Sequence, residues 1–187
     1  MKNLSTARIC GTFISAAVAI VLLGMAPISA APKYQQMPED GWVTYVNDSL
    51  GYNFYYPSTF FEPQAIAAGT EAKTFLSPDK RAKIVVSAVE NDEGFTLAGY
   101  RAAILGEFGG YEQLDYSPKG QTWFVLSGYR GGNIYYQKVL FSCGNRIINV
   151  LSITFPTADR DFYEGLVEVM EDNFRPGPGR NTPVGCR

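Results

Sequence analysis

The sequence predicts an α+β fold, an antiparallel sheet that ends in a long three-stranded meander and is packed by two main helices. Three observations predict it. First, residues 122–130, 133–143 and 146–155 are long β-rich runs joined by Gly131-Gly132 and Gly144-Asn145. Two-residue joints of that composition demand hairpins, because glycine and asparagine accept the positive φ of primed turns. Second, both phases of these runs are apolar: Trp123 and Val125 against Phe124 and Leu126, Ile147 and Leu151 against Ile148 and Val150. Such a sheet needs cover on both faces, at least in part. Third, two segments repeat apolar residues at helical spacing and can supply that cover.

The elements follow in chain order. Lys2 and Arg8 precede an apolar run from Phe13 to Met25, and Pro27 then leads to Ile28-Ser29-Ala30. This three-part pattern predicts a secretory signal over residues 1–30, cut after Ala30 to leave Ala31 first. The apolar run is shorter than the ~20 residues that span a bilayer, which weighs against an uncleaved anchor. Residues 31–41 lack any pattern and read as a leader. Strands are expected at 42–47 and 52–56, the second stopped by Pro57, and residues 57–72 as an irregular loop. Two further strands, 73–77 and 82–89, flank the turn residues Pro78-Asp-Lys-Arg81.

The first helix is expected over 96–108, with Thr96 as N-cap and Leu97, Tyr100, Ile104 and Phe108 on one face. Gly109-Gly110 ends it, and a short strand near 111–116 precedes the meander. The second helix is expected over 159–174, with acids in its first turns and a stripe of Phe162, Leu166, Val169 or Met170, and Phe174. Residues 42–175 thus form a single α+β domain, and the Gly/Pro-rich tail, 176–187, has no periodicity.

Removing residues 1–30 takes away two basic residues and no acidic one, moving the formal charge from −2 to −4. That balance argues against a nucleic-acid partner, which demands a basic face. No second long apolar stretch exists, so no stable membrane insertion is expected after signal removal. Cys143 and Cys186 survive processing, and in an oxidising compartment an even pair invites a disulfide, two free thiols being the alternative. The bridge would close a loop of about 44 residues, a constraint valued at about 4 kcal/mol by chain entropy.

The order of elements, with Leu50-Gly-Tyr-Asn-Phe-Tyr-Tyr-Pro57 early and Glu171-Asp-Asn-Phe174 closing the last helix, resembles the PsbP/LpqN class of α/β/α sandwich domains. The resemblance covers residues 42–175. Gly120-Gln-Thr-Trp-Phe-Val-Leu-Ser-Gly128 also resembles a stretch of uncharacterised secreted or periplasmic proteins of Gram-negative bacteria. The wider class implies a non-enzymatic binding or assembly role and provides no catalytic residues to carry over.

The residues themselves agree. The chain holds no histidine, which removes Ser-His and Cys-His dyads and the commonest transition-metal ligand. Ser77-Pro-Asp-Lys80 matches the Ser-x-x-Lys pattern of penicillin-recognising enzymes, but that chemistry needs a helix start, and here a β-turn is expected. Glu90-Asn-Asp-Glu-Gly94 offers hard oxygens without EF-hand spacing and reads as a solvated acidic turn. Asn47-Asp-Ser49 is a glycosylation sequon that matters only in a eukaryotic secretory route. No catalytic residue, metal ligand or cofactor is expected. Of the tyrosines, Tyr129 and Tyr135, with Arg130 and Asn133, sit where a hairpin tip projects its side chains, and Tyr and Arg are common interface anchors. These four are the expected binding residues.

The sequence thus reads as an exported binding or assembly module of the bacterial envelope, periplasmic or secreted, with an envelope protein or a glycan as partner. A carboxylate-based envelope hydrolase and a secreted factor acting on a host or neighbouring cell remain as alternatives.

Overall fold

The structure, a computed structural model, describes residues 41–47, 49–66, 70–107 and 111–176. The expected signal with its cleavage point at Ala30 and Ala31, the leader up to residue 40, Phe108 to Gly110, and the tail with Cys186 lie outside the described residues.

Aromatic and β-branched residues alternate through β1 (Trp42–Val46) and β2 (Asn53–Pro57), which pair antiparallel as a separate two-stranded sheet. Asn47 shapes the link between them. Its side-chain oxygen accepts the N–H groups of Ser49 at 3.1 Å and Leu50 at 2.8 Å, and the residue is buried. Since its amide lies inside the turn, the sequon asparagine is not presented for glycosylation.

The main sheet has seven strands in the order β3-β4-β5-β9-β8-β7-β6, all neighbours antiparallel. Its members are β3 (Glu62–Pro63), β4 (Lys73–Leu76), β5 (Lys83–Glu90), β6 (Gln113–Tyr116), β7 (Trp123–Arg130), β8 (Asn133–Ser142) and β9 (Ile147–Pro156). The expected meander is therefore its centre, with β5 added outside β9. Residues 57–72 are not wholly irregular, because β3 pairs with Leu76 and Phe75 at the sheet edge. Two exposed residues, one a proline, carry no strand signal, and proline is at home only on such an edge.

The β7–β8 hairpin turns at Gly131 and Gly132 with φ of 56° and 75°, as a primed turn requires. The β8–β9 connection departs from the two-residue expectation. Ser142 pairs with Ile147, and Cys143, Gly144 and Asn145 all adopt positive φ, at 55°, 64° and 69°. The extra residues let the loop reach the β5–α1 turn. There Asn91 donates its backbone N–H to the Arg146 carbonyl at 2.8 Å and its side-chain amide to the Asn145 carbonyl at 2.7 Å.

Both faces of the sheet are covered, as the two-phase pattern demands. On one face lie the β1–β2 hairpin and α2 (Arg160–Asp172), entered through a short 3-10 turn at Thr157–Asp159. Tyr163, Leu166, Val167 and Met170 are buried there with Phe174, against Ile153 and Phe155 of β9. The buried ridge runs through Met170 and not Val169, which is 38 % exposed. On the other face α1 (Leu97–Glu107) lays Ile104 over Phe124, Leu126, Val139, Phe141 and Ile148. Thr96 caps α1 as expected, its hydroxyl accepting the Gly99 N–H at 3.0 Å. No helix among the described residues is long and apolar enough to cross a membrane.

Candidate functional site

The two faces differ along their length. Toward α2, β9 presents Leu151, Ile153 and Phe155 in unbroken apolar succession. Toward α1 it presents Ile148 and Val150 and then Ser152 and Thr154, because successive side chains alternate between faces. The change from apolar to polar falls where α1 stops covering the sheet. Beyond Ile104 the face is open as a cavity of about 360 Å³.

Three strands make its floor. Ser87 comes from β5, Ser152 and Thr154 from β9, and Tyr135 and Gln137 from β8. Register places these side by side, Gln137 opposite Ser152 and Tyr135 opposite Thr154. The Gln137 amide donates to the Ser152 hydroxyl at 3.3 Å. Two walls stand over the floor. Tyr100 and Ile104 come from α1, and Tyr111 and Arg130 complete the lining. Arg130 is the only charged residue among the described lining residues, and its guanidinium lies 4.4 Å from the centroid of the Tyr135 ring. A cation held over an aromatic face in this way is attracted by the ring quadrupole.

Burial favours the neutral phenols of Tyr100 and Tyr111. Burial pushes the Tyr111 phenol up to about 12, with the Arg130 charge pulling the other way. Burial also raises Tyr100. Tyr111 donates its hydroxyl to the Leu126 carbonyl at 3.4 Å, and Tyr100 packs edge-on against Phe95 and Phe141. The pocket therefore offers hydroxyls, one amide, tyrosine rings and one cation among its described lining residues. Among the described residues its lining includes no carboxylate.

The structure distributes the four expected binding residues between different places. Arg130 and Tyr135 meet in this pocket. Tyr129 points to the other face, where its hydroxyl accepts from Arg160 of α2 at 2.5 Å. Asn133 serves the turn, donating its amide to the Gly131 carbonyl at 3.2 Å. Sequence reasoning missed Tyr100, Tyr111, Ser87, Gln137, Ser152 and Thr154. The readable signal was the hydroxyl and amide residues that interrupt one apolar phase of β8 and β9.

The remaining motifs resolve into turns. Ser77 is buried, donates to Asp79 at 2.6 Å and accepts the Ala82 N–H at 3.0 Å. The Lys80 N–H bonds back to the Ser77 carbonyl at 2.8 Å, closing the β-turn expected there. Within residues 90–94 the Gly94 N–H bonds to the Asn91 carbonyl at 3.0 Å. Among the described residues no group of three or more acidic or cysteine side chains is placed to hold a metal ion. Cys143 sits at the β8–β9 turn, and its expected partner Cys186 lies outside the described residues.

No protein-family model and no curated protein matches the chain. Solved structures do. The solution structure of cyanobacterial PsbP (CyanoP) from a Synechocystis species superposes with a TM-score of 0.54 at 14% identity, covering 73% of this chain and 92% of that one. The Saccharomyces cerevisiae Ran-binding protein Mog1p superposes with a TM-score of 0.50 at 11% identity, covering 72% and 95% respectively. At such identities the likeness is one of fold, and the fold is the PsbP-like α+β sandwich.

Proposed function

We propose that this chain is an exported, non-enzymatic binding or assembly module of the bacterial envelope, and that it contacts its ligand through the open half of the α1 face. One observation carries the reading. The cavity there gathers hydroxyls, an amide, tyrosine rings and a single guanidinium, which is recognition chemistry. General acid–base work near neutral pH would need a titratable group in reach, and the chain has no histidine while the described lining residues include no carboxylate.

Two carboxylates do approach one another elsewhere. Asp79 and Asp159 both bind Arg81, at 3.0 and 2.8 Å. The shared guanidinium makes this a clasp between the β4–β5 turn and the start of α2, a structural use of the pair. Mog1p, described as Ran-binding, supports the view that this sandwich serves partner recognition. That support is analogy of fold.

The test pairs turnover with pocket occlusion. Panels of glycan, ester and peptide substrates should show no turnover by protein from the native host. Ser152→Trp should fill the floor and release whatever envelope material the wild type retains, with the melting temperature held. Turnover abolished by a single Asp or Glu replacement would overturn the non-enzymatic reading. Undiminished retention by Ser152→Trp would remove the pocket from it.

A further inference from the structure

We propose that the pocket beside α1 receives one sugar unit bearing a carboxylate. Its hydroxyls would lie on the floor of Ser87, Gln137, Ser152 and Thr154, its ring against the tyrosines, and its carboxylate at Arg130. The inference rests on the pocket being the contact site and names the chemistry of what enters it.

Four features select this class over others. The first is size. About 360 Å³ stands near the lower end of the roughly 300–1,000 Å³ range of ligand pockets, room for a unit and not a chain. The second is the floor. Serine and threonine hydroxyls and the glutamine amide each donate and accept, the dual capacity of sugar hydroxyls. An apolar or purely aromatic guest would strip water from these groups and leave them unpaired.

The third is the wall. Tyr100, Tyr111 and Tyr135 supply apolar ring faces, against which the C–H face of a pyranose can lie while its hydroxyls turn to the floor. The fourth is charge. Arg130 is the only ionic group among the described lining residues, and its planar guanidinium is oriented by the Tyr135 ring 4.4 Å away. A planar fork of N–H donors matches a carboxylate.

Calorimetric titration of protein from the native host with glucuronate, glucose and benzoate separates the contributions. Glucuronate should bind saturably, and glucose and benzoate at least about tenfold more weakly, the factor expected for losing one charge-assisted hydrogen bond or the floor contacts. Arg130→Gln should reduce glucuronate to the level of glucose and leave glucose unchanged. Gln137→Leu should weaken both sugars. Glucose binding as tightly as glucuronate, or an Arg130→Gln protein that folds and loses nothing, would overturn the carboxylate. Benzoate binding more tightly than glucuronate would overturn the sugar. If none of the three binds, the ligand class falls, while the contact site itself is decided separately by retention in Ser152→Trp. Should Arg130→Gln fail to fold, the glucuronate-to-glucose ratio of the wild type still decides the matter.

Discussion

Gly128 shows how a single residue governs both an edge strand and the pocket. It lies in β7 opposite Leu114 of β6 and Tyr135 of β8. A Cβ there would stand 2.1 Å from the Gln113 carbonyl oxygen, 2.8 Å from Tyr111 and 3.0 Å from the Leu114 backbone. The glycine is required by this close approach, since the nearest obstacle is backbone and cannot swing aside. The register of β6 shifts between Leu114 and Tyr116 at the same place, as a bulged edge does. Gly128→Ala should therefore lower stability by about 1–3 kcal/mol in denaturant unfolding, the usual cost of overpacking. A loss within ~0.5 kcal/mol would show that β6 slides freely on β7. Ser77 and Asn47 teach a complementary lesson. Each belongs to a recognisable functional motif, yet each side chain bonds backbone N–H groups of its own turn, which is the ordinary work of short polar residues beside turns.

The two helices do different work on the two faces. α2 turns one buried ridge to the sheet, with Leu166 near its middle at 6% exposure. Lys138 of β8 reinforces that contact, donating to the Glu171 carbonyl at 2.8 Å and pairing with its carboxylate at 2.5 Å. Leu166→Ala should cost about 2–5 kcal/mol, the range for truncating a buried leucine. A loss below about 1 kcal/mol would show that α2 does not close the core. α1 is the shorter helix, and of its side chains with described burial only Ile104 is buried. It seals the part of the face formed by Phe124, Leu126, Val139, Phe141 and Ile148 and leaves the Ser152–Thr154 part open. The pocket is in this sense the part of a sheet that its helix does not reach. A mixed floor tolerates that exposure, where an apolar one would favour aggregation or a permanent partner.

At the scale of the whole chain, export and oxidation belong together. If residues 1–30 are removed on export, as proposed, the chain meets an oxidising compartment with Cys143 and Cys186 as its two cysteines. Cys143 stands where β8 ends and the chain enters the left-handed region, at a φ of 55°. Intact-mass measurement of protein from the native host should show a chain starting at Ala31, lighter than its reduced form by two hydrogens. A mass that includes residues 1–30 would overturn the signal. Alkylation of both cysteines without prior reduction would overturn the bridge, and with it the stabilisation of about 4 kcal/mol that loop closure supplies.

The meander, both helices, the Thr96 cap and the need for cover on both faces were legible in the sequence, because each rests on short-range physics. Periodicity, capping and turn chemistry act within a few residues. Even the division of the hairpin-tip residues was within reach. A two-residue turn at Gly131-Gly132 pairs Arg130 with Asn133, so alternation puts Arg130 and Tyr135 on one face and Tyr129 on the other. Other features depended on partners far along the chain. β3 is two residues that become a strand only because Leu76 and Phe75 lie beside them. The β8–β9 loop is longer than its glycine and asparagine imply, because it docks on Asn91. The pocket is the clearest case. Local pattern sets the face to which Ser152, Thr154 and Gln137 point, but not whether that face is covered. That depends on where α1 comes to rest, which is set by long-range packing of Ile104 against strands 20 to 44 residues further on.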